Sequence, residues 1–158
     1  MKLRFMIVLV ILMAAYSLRD YYLPAKISMV YQGEDYITAG DIKFKSTVVL
    51  VKHPPLTKKG GKVFWEENKD FLINKYNPIE KSLDRVVFIH DAPEEPYDKH
   101  ELNYWKGDNQ YCFNGRMGDK CISKDKTIFL VTGRDMGEGS EYLGSDKGKS
   151  MYIWFLHR

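Results

Sequence analysis

The sequence predicts an α+β architecture: a single amino-terminal transmembrane helix, then a small antiparallel sheet with one amphipathic helix packed on it. Three observations carry that reading. Residues 5–18, FMIVLVILMAAYSL, form one unbroken apolar run behind Lys2 and Arg4, ahead of an otherwise polar chain. Beyond it lie short runs rich in β-branched and aromatic residues, bounded by Gly, Pro and polar clusters, as strands are. One stretch alone, between Thr57 and Asn77, carries apolar residues at helical spacing. A sheet with a helix on one face buries both kinds of element.

A spanning helix needs about 20 mostly apolar residues. The run reaches that length only by extending through Tyr21, Tyr22 and Leu23, which takes in Arg19 and Asp20 before Pro24 stops the helix. Near a helix end an Arg snorkels to the headgroups and tyrosines suit the interface, so residues 1–24 read as a membrane anchor. The rival reading is a cleaved secretory signal, with Ala15-Tyr16-Ser17 as its small-x-small site. No Cys follows the run directly, which argues against a lipoprotein. Lys2, Arg4 and the terminal amine outweigh Arg19 beside Asp20. The positive-inside rule therefore expects a cytoplasmic amino terminus at the inner membrane, with residues 25–158 as a periplasmic domain.

Residues 26–32 (KISMVYQ) read as the first strand, followed by a polar stretch containing Gly33 and Gly40. Residues 46–52 (STVVLVK) make a stronger strand, closed by Pro54 and Pro55. In the helix, Thr57 is the expected N-cap, and Phe64, Trp65, Phe71, Leu72 and Tyr76 the apolar stripe. Gly60 and Gly61 weaken the first turn, so the firm part is expected from Lys62 until Asn77-Pro78 ends it. Residues 84–90 (DRVVFIH) read as a strand, then comes an acidic loop with Pro93 and Pro96. Tyr111-Cys112-Phe113 reads as a short strand, and residues 127–132 (TIFLVT) and 151–156 (MYIWFL) as strong ones separated by a glycine-rich polar segment. The continuous apolar character of MYIWFL expects it near the middle of the sheet.

About 135 residues beyond the anchor suffice for one domain with a modest core, and an aromatic content of 14% fills it without many aliphatics. The net charge of +3 is too small to imply nucleic acid or anionic lipid as the main partner. Both cysteines, Cys112 and Cys121, lie in one polar, glycine-bearing segment, YCFNGRMGDKC. In an oxidising compartment they are expected to pair, a closure worth about 2.7 kcal/mol in the chain-entropy model. Two buried reduced thiols are the alternative, and zinc lacks the second ligand pair that a structural site needs.

Motifs for chemistry are weak. GSDKGKS (144–150) places three residues between its glycines where a phosphate-binding loop has four, and a strand follows it, so no nucleotide is expected. GRDMGEG (133–139) fails the dinucleotide fingerprint and reads as a flexible turn. His90, Asp91, Glu94, Glu95, Asp98, His100 and Glu101 are the densest set of metal-ligand residue types. Their spacing matches no metal loop and the prolines favour extension, so a solvated acidic loop is the stronger reading. No Ser-His-Asp or Cys-His arrangement can be argued. The expectation is no enzyme, no metal and no cofactor.

Charge distribution says more. Residues 43–62 contain six lysines (43, 45, 52, 58, 59 and 62) and no acidic residue. Residues 91–108 hold six carboxylates against Lys99 and Lys106, interleaved with Tyr97, Tyr104 and Trp105. An acidic loop with exposed aromatics suits a basic groove on another protein, since charge steers the encounter and rings supply anchor energy. The alternative is an exposed loop with Tyr104 and Trp105 turned into the core. On the functional reading Glu94, Glu95, Tyr97, Asp98, Tyr104 and Trp105 contact the partner.

The run HPPLTKKGGKVFWEENKDFLINKYN, the later YCFNGRMGDKC and the amino-terminal run leading into PAKISMVYQ resemble the enterobacterial membrane-anchored family catalogued as domain of unknown function 943. Pro55, Leu56, Thr57, Lys59, Gly60, Trp65, Asn68, Lys69, Asp70, Leu72, Lys75, Tyr76 and Asn77 match its "PLT-x-KGK…W…NKD-L…KYN" segment, as do Cys112 and Cys121. The chain departs in an extra residue at Gly60-Gly61, in the acidity of the segment between His90 and Tyr104, and in Arg19-Asp20. The resemblance implies a small single-pass protein and no established activity. The expected function is a periplasmic protein-binding domain, most specifically an immunity protein against a delivered toxin. The alternative is a structural or accessory envelope protein that associates through its membrane helix.

Overall fold

Six consecutive residues, Ser46 to Val51, are buried without interruption, as only a strand covered on both faces allows. They lie in β2 (Ile42–Lys52) of a computed structural model that describes residues 2–17, 23–37, 42–92, 95–96, 110–111 and 120–156. β1 (Lys26–Ile37) pairs antiparallel with β2, and β3 (Arg85–His90) pairs parallel with it on the other side. The parallel pair is joined by α2 (Lys58–Tyr76), the crossover that parallel neighbours require. β7 (Thr127–Thr132), β9 (Lys149–Phe155) and β8 (Ser140–Asp146) complete a six-stranded sheet in the order β1-β2-β3-β7-β9-β8. A second sheet of three short strands, β4 (Glu95–Pro96), β5 (Gln110–Tyr111) and β6 (Lys120–Ser123), has the order β4-β6-β5.

The expected transmembrane helix is corrected. α1 (Lys2–Ser17) is helical as the apolar run dictates, but it has 16 residues. At 1.5 Å per residue that is roughly 24 Å, short of the ~30 Å hydrocarbon core. No described helix is long and apolar enough to cross a membrane. The described side chains of α1 from Met6 to Met13, with Tyr16, are exposed to between 48% and 69%, apart from Ala14 and Ala15, which are exposed too.

The expected small antiparallel sheet is corrected as well, since the main sheet is mixed and larger. Two strands with a 19-residue helix between them signal a crossover, and that pattern is present in the sequence at β2, α2 and β3. β8 replaces what reads as a glycine-rich linker. Its hairpin to β9 turns through Lys147 (φ 50) and Gly148 (φ 80), the paired positive φ values of a two-residue type I′ turn. GSDKGKS is therefore a hairpin, and MYIWFL is the second strand from the edge.

Each face of the main sheet has its own core. On one, α2 lays Phe64, Trp65 and Leu72 against Val49, Phe88, Phe129, Ile153 and Phe155. Phe88 stacks on Phe129 with centroids 4.3 Å apart and meets Trp65 in a T-shaped contact at 6.1 Å. Phe71, expected in the stripe, is exposed and meets Tyr76 instead. The helix starts at Lys58, earlier than expected, with the Thr57 side chain accepting from the Gly60 amide. Gly61 is what the close approach requires: a Cβ there would stand 2.8 Å from Cε1 of Phe155. On the opposite face, Tyr111 and Ile122 of the small sheet pack on Val48, Leu50, Val87, Ile89 and Leu130.

Candidate partner-binding face

β6 lies between its two short partners. Glu95 and Pro96 face Cys121 and Lys120 on one side, and Gln110 and Tyr111 face Ser123 and Ile122 on the other. The chain therefore leaves one flank of β6 at Pro96 and rejoins the other flank at Gln110. Packing holds these strands: Cys121 and Ile122 are fully buried, and Tyr111 nearly so. Lys124 Nζ lies 5.9 Å from the centre of the Tyr111 ring, and the Ser123 hydroxyl accepts from the Asp125 amide to start a one-turn 3₁₀ helix, residues Lys124–Lys126.

Of the residues expected to contact a partner, Glu95 stands on β4, opposite Cys121. Glu94, Tyr97, Asp98, Tyr104 and Trp105 lie outside the described residues, as do Cys112 and His100. No described cysteine is a free thiol.

His90 ends β3 and Asp91 follows it directly. The Asp91 amide donates to the Val51 carbonyl, and its carboxylate lies 4.0 Å from Lys52 Nζ. Among the described residues no three His, Cys, Asp or Glu side chains gather as a metal site would need. The lysine-rich stretch is partly balanced: Lys45 pairs with Glu80 at 2.6 Å, and Lys62 pairs with Glu141. The Lys45 hydrogen bond holds the Glu80 carboxyl below its ordinary range, and Glu66 likewise raises Lys69 through a side-chain hydrogen bond. These are exposed pairs, worth little in stability.

The face that carries the small sheet continues toward the start of β2 and β3. Side chains alternate along a strand, so Phe44 shares the face of Val48 and Arg85 that of Val87. There Phe44, Ser82, Leu83, Arg85, Leu130, Thr132, Arg134 and Met136 line a cavity of about 80 Å³. The Arg85 guanidinium lies over the Phe44 ring, 4.3 Å from its centre. Neither arginine stands out in the sequence. Alternation along RVVFIH is the signal that sets Arg85 on this face.

No curated protein and no solved structure matches the chain. The family model described as Enterobacterial putative membrane protein (DUF943) matches residues 1–146, from α1 to the end of β8, and the chain belongs to that family.

Proposed function

We propose that residues 25–158 form a non-catalytic, protein-binding domain in the periplasm, most specifically an immunity protein that neutralises a toxin delivered by a competing cell. One observation carries the reading: the two strands that bracket the acidic, aromatic segment are both paired to β6, itself seated on the main sheet. A segment held at both ends loses less freedom on binding than a free one, so more of its contact energy is retained as affinity. Its carboxylates steer the encounter with a basic partner, and Tyr97, Tyr104 and Trp105 supply the anchor area.

A Cys112–Cys121 disulfide belongs to this proposal. Cys121 is fully buried on β6 and is not a free thiol, which supports a bridge to the other cysteine of the chain. Residues 1–24 are proposed as the export segment, since the 14-residue apolar stretch 5–18 has the length of a signal core.

The test pairs the chain with toxin-like products of neighbouring reading frames, each directed to the periplasm. The reading expects one of them to kill cells that lack the chain and to spare cells that express it. Replacing Glu94→Gln, Glu95→Gln and Trp105→Ala together should abolish protection at unchanged protein level. Protection that survives the triple replacement contradicts the assigned face. The second reading, an accessory envelope protein associating through its amino-terminal segment, draws on the exposed apolar side chains of α1. It expects removal of residues 1–24 to abolish association and the triple replacement to leave it intact.

A further inference from the structure

Residues 21–33 and 42–65 carry lysine and no acidic residue, and sheet register brings the two stretches together. Lys26, at the start of β1, stands opposite Lys52, at the end of β2. From Lys52 the chain turns through Pro54 and Pro55 into α2, whose first turn holds Lys58 and Lys59. One end of the main sheet therefore collects four exposed lysines, with the exposed side chains of Leu23 and Leu56 next to them in the chain. We propose that this end docks on an anionic phospholipid bilayer, with Lys26, Lys52, Lys58 and Lys59 on the headgroups and Leu23 and Leu56 entering between them.

Fold stability does not account for these charges. Like charges directly opposite on neighbouring strands destabilise a sheet, and cations in a first turn oppose the helix macrodipole. α2 has no acidic residue in that turn to offset them. Local choices that work against the fold mark functional surfaces, and an anionic surface relieves both conflicts. Little within the chain does so. Asp91 lies 4.0 Å from Lys52 Nζ, yet that lysine side chain stays 60% exposed. Lys58 Nζ stands 5.8 Å from the centre of the Phe155 ring, a contact that brings no negative charge. Lys26 and Lys59 have no ion pair among the described residues. After Asp91 the chain passes to β4 of the small sheet, whose β6 packs on the face away from α2. Covalent reach sets the same end near α1. Residues 18–22 alone separate that helix from Leu23, and an extended chain of this length spans at most about 20 Å. The exposed apolar side chains of α1 suit the same lipid surface.

The experiment floats the full chain with vesicles of phosphatidylcholine alone, or mixed in equal parts with phosphatidylglycerol, over a range of lipid and salt concentrations. Tighter binding to the anionic vesicles is expected, with the difference shrinking as salt screens it. A lysine at an anionic surface is worth about fivefold in binding. Replacing Lys26→Gln, Lys52→Gln and Lys59→Gln together should therefore weaken binding to anionic vesicles about tenfold or more and leave binding to neutral vesicles unchanged. Lys43→Gln, Lys75→Gln and Lys81→Gln remove the same charge from the opposite end of the sheet and should weaken it less than about twofold. In neutral detergent micelles the first variant should unfold at no lower a temperature than the parent, since it removes a like-charged pair, which separates loss of the surface from loss of the fold. Neither variant touches Glu94, Glu95 or Trp105, so the result is independent of the partner-binding segment. Equal binding of the parent to both kinds of vesicle, equal losses from the two triple variants, or parent-like binding after replacement of Lys26, Lys52 and Lys59 overturns the proposal.

Discussion

Asp84 is the residue whose loss should be felt furthest from its position. It is 1% exposed, at the junction between the helix-to-strand connection and β3. One carboxylate oxygen accepts from the Lys45 amide at 2.7 Å, and the other from the Glu80 and Lys81 amides at 2.8 Å each. One side chain thus ties β2 to the turn that feeds β3. Hydrogen bonds to a charged acceptor are worth about 1.5–3 kcal/mol each. The simple sum overstates the effect, because Glu80 and Lys81 are exposed and their amides turn to water when the carboxylate goes. Removing a buried charge also relieves its desolvation. The net loss expected for Asp84→Ala is therefore about 3 kcal/mol, and for Asp84→Asn, which keeps one accepting oxygen, roughly half of that. For a chain of this size that corresponds to a fall in Tm of about 6–12 °C in the alanine variant. Urea unfolding followed by tryptophan fluorescence is the assay, with the m-value checked for constancy so that the midpoint reports stability. An alanine variant within 0.5 kcal/mol of the parent refutes the clamp (roughly the scatter of neutral surface changes).

Two further predictions follow from side-chain geometry. Gly61→Ala should destabilise by about 1 kcal/mol, the reverse of the usual helical gain, because overpacking against Phe155 outweighs propensity; thermal unfolding shows the sign, and a rise in Tm contradicts it. Glu80 should titrate below the ordinary glutamate range in a carboxyl NMR titration, and Lys45→Met should return it upward. Since its folded value is the lower one, the stability it contributes is present above the unfolded pKa of about 4.3 and disappears as pH falls through the folded value. A Glu80 midpoint unchanged by Lys45→Met removes the pair from the account.

Local signals in the sequence carried most of the individual elements. TIFLVT is β7 with the same bounds, Thr57 is the N-cap, and Asn77 closes α2 in a left-handed conformation. What was not legible depends on partners distant in the chain. Polar alternation across residues 140–146 gives little apolar signal, because β8 is an edge strand with only part of its surface buried. Gly61 reads locally as a helix breaker, yet the rings of Phe155 and Phe129 make it a contact point. The parallel pairing of β2 with β3 arises from the crossover and not from either strand's composition. Of the candidate site, the acidic segment was visible as charge and aromatic content, whereas its bracketing by β4 and β5 on β6 was not. Arg85 and Phe44 are far apart in sequence and meet only through sheet register.

The most direct test of the binding reading is site-specific photocrosslinking in living cells, with the reactive residue at Trp105 in one strain and at Tyr142, on the far edge strand β8, in another. The account predicts a discrete covalent adduct with one exported protein from position 105, absent from position 142 and lost when Glu94 and Glu95 are replaced by glutamine. Adducts of equal yield from both positions, or an adduct at 105 indifferent to the glutamates, would contradict it.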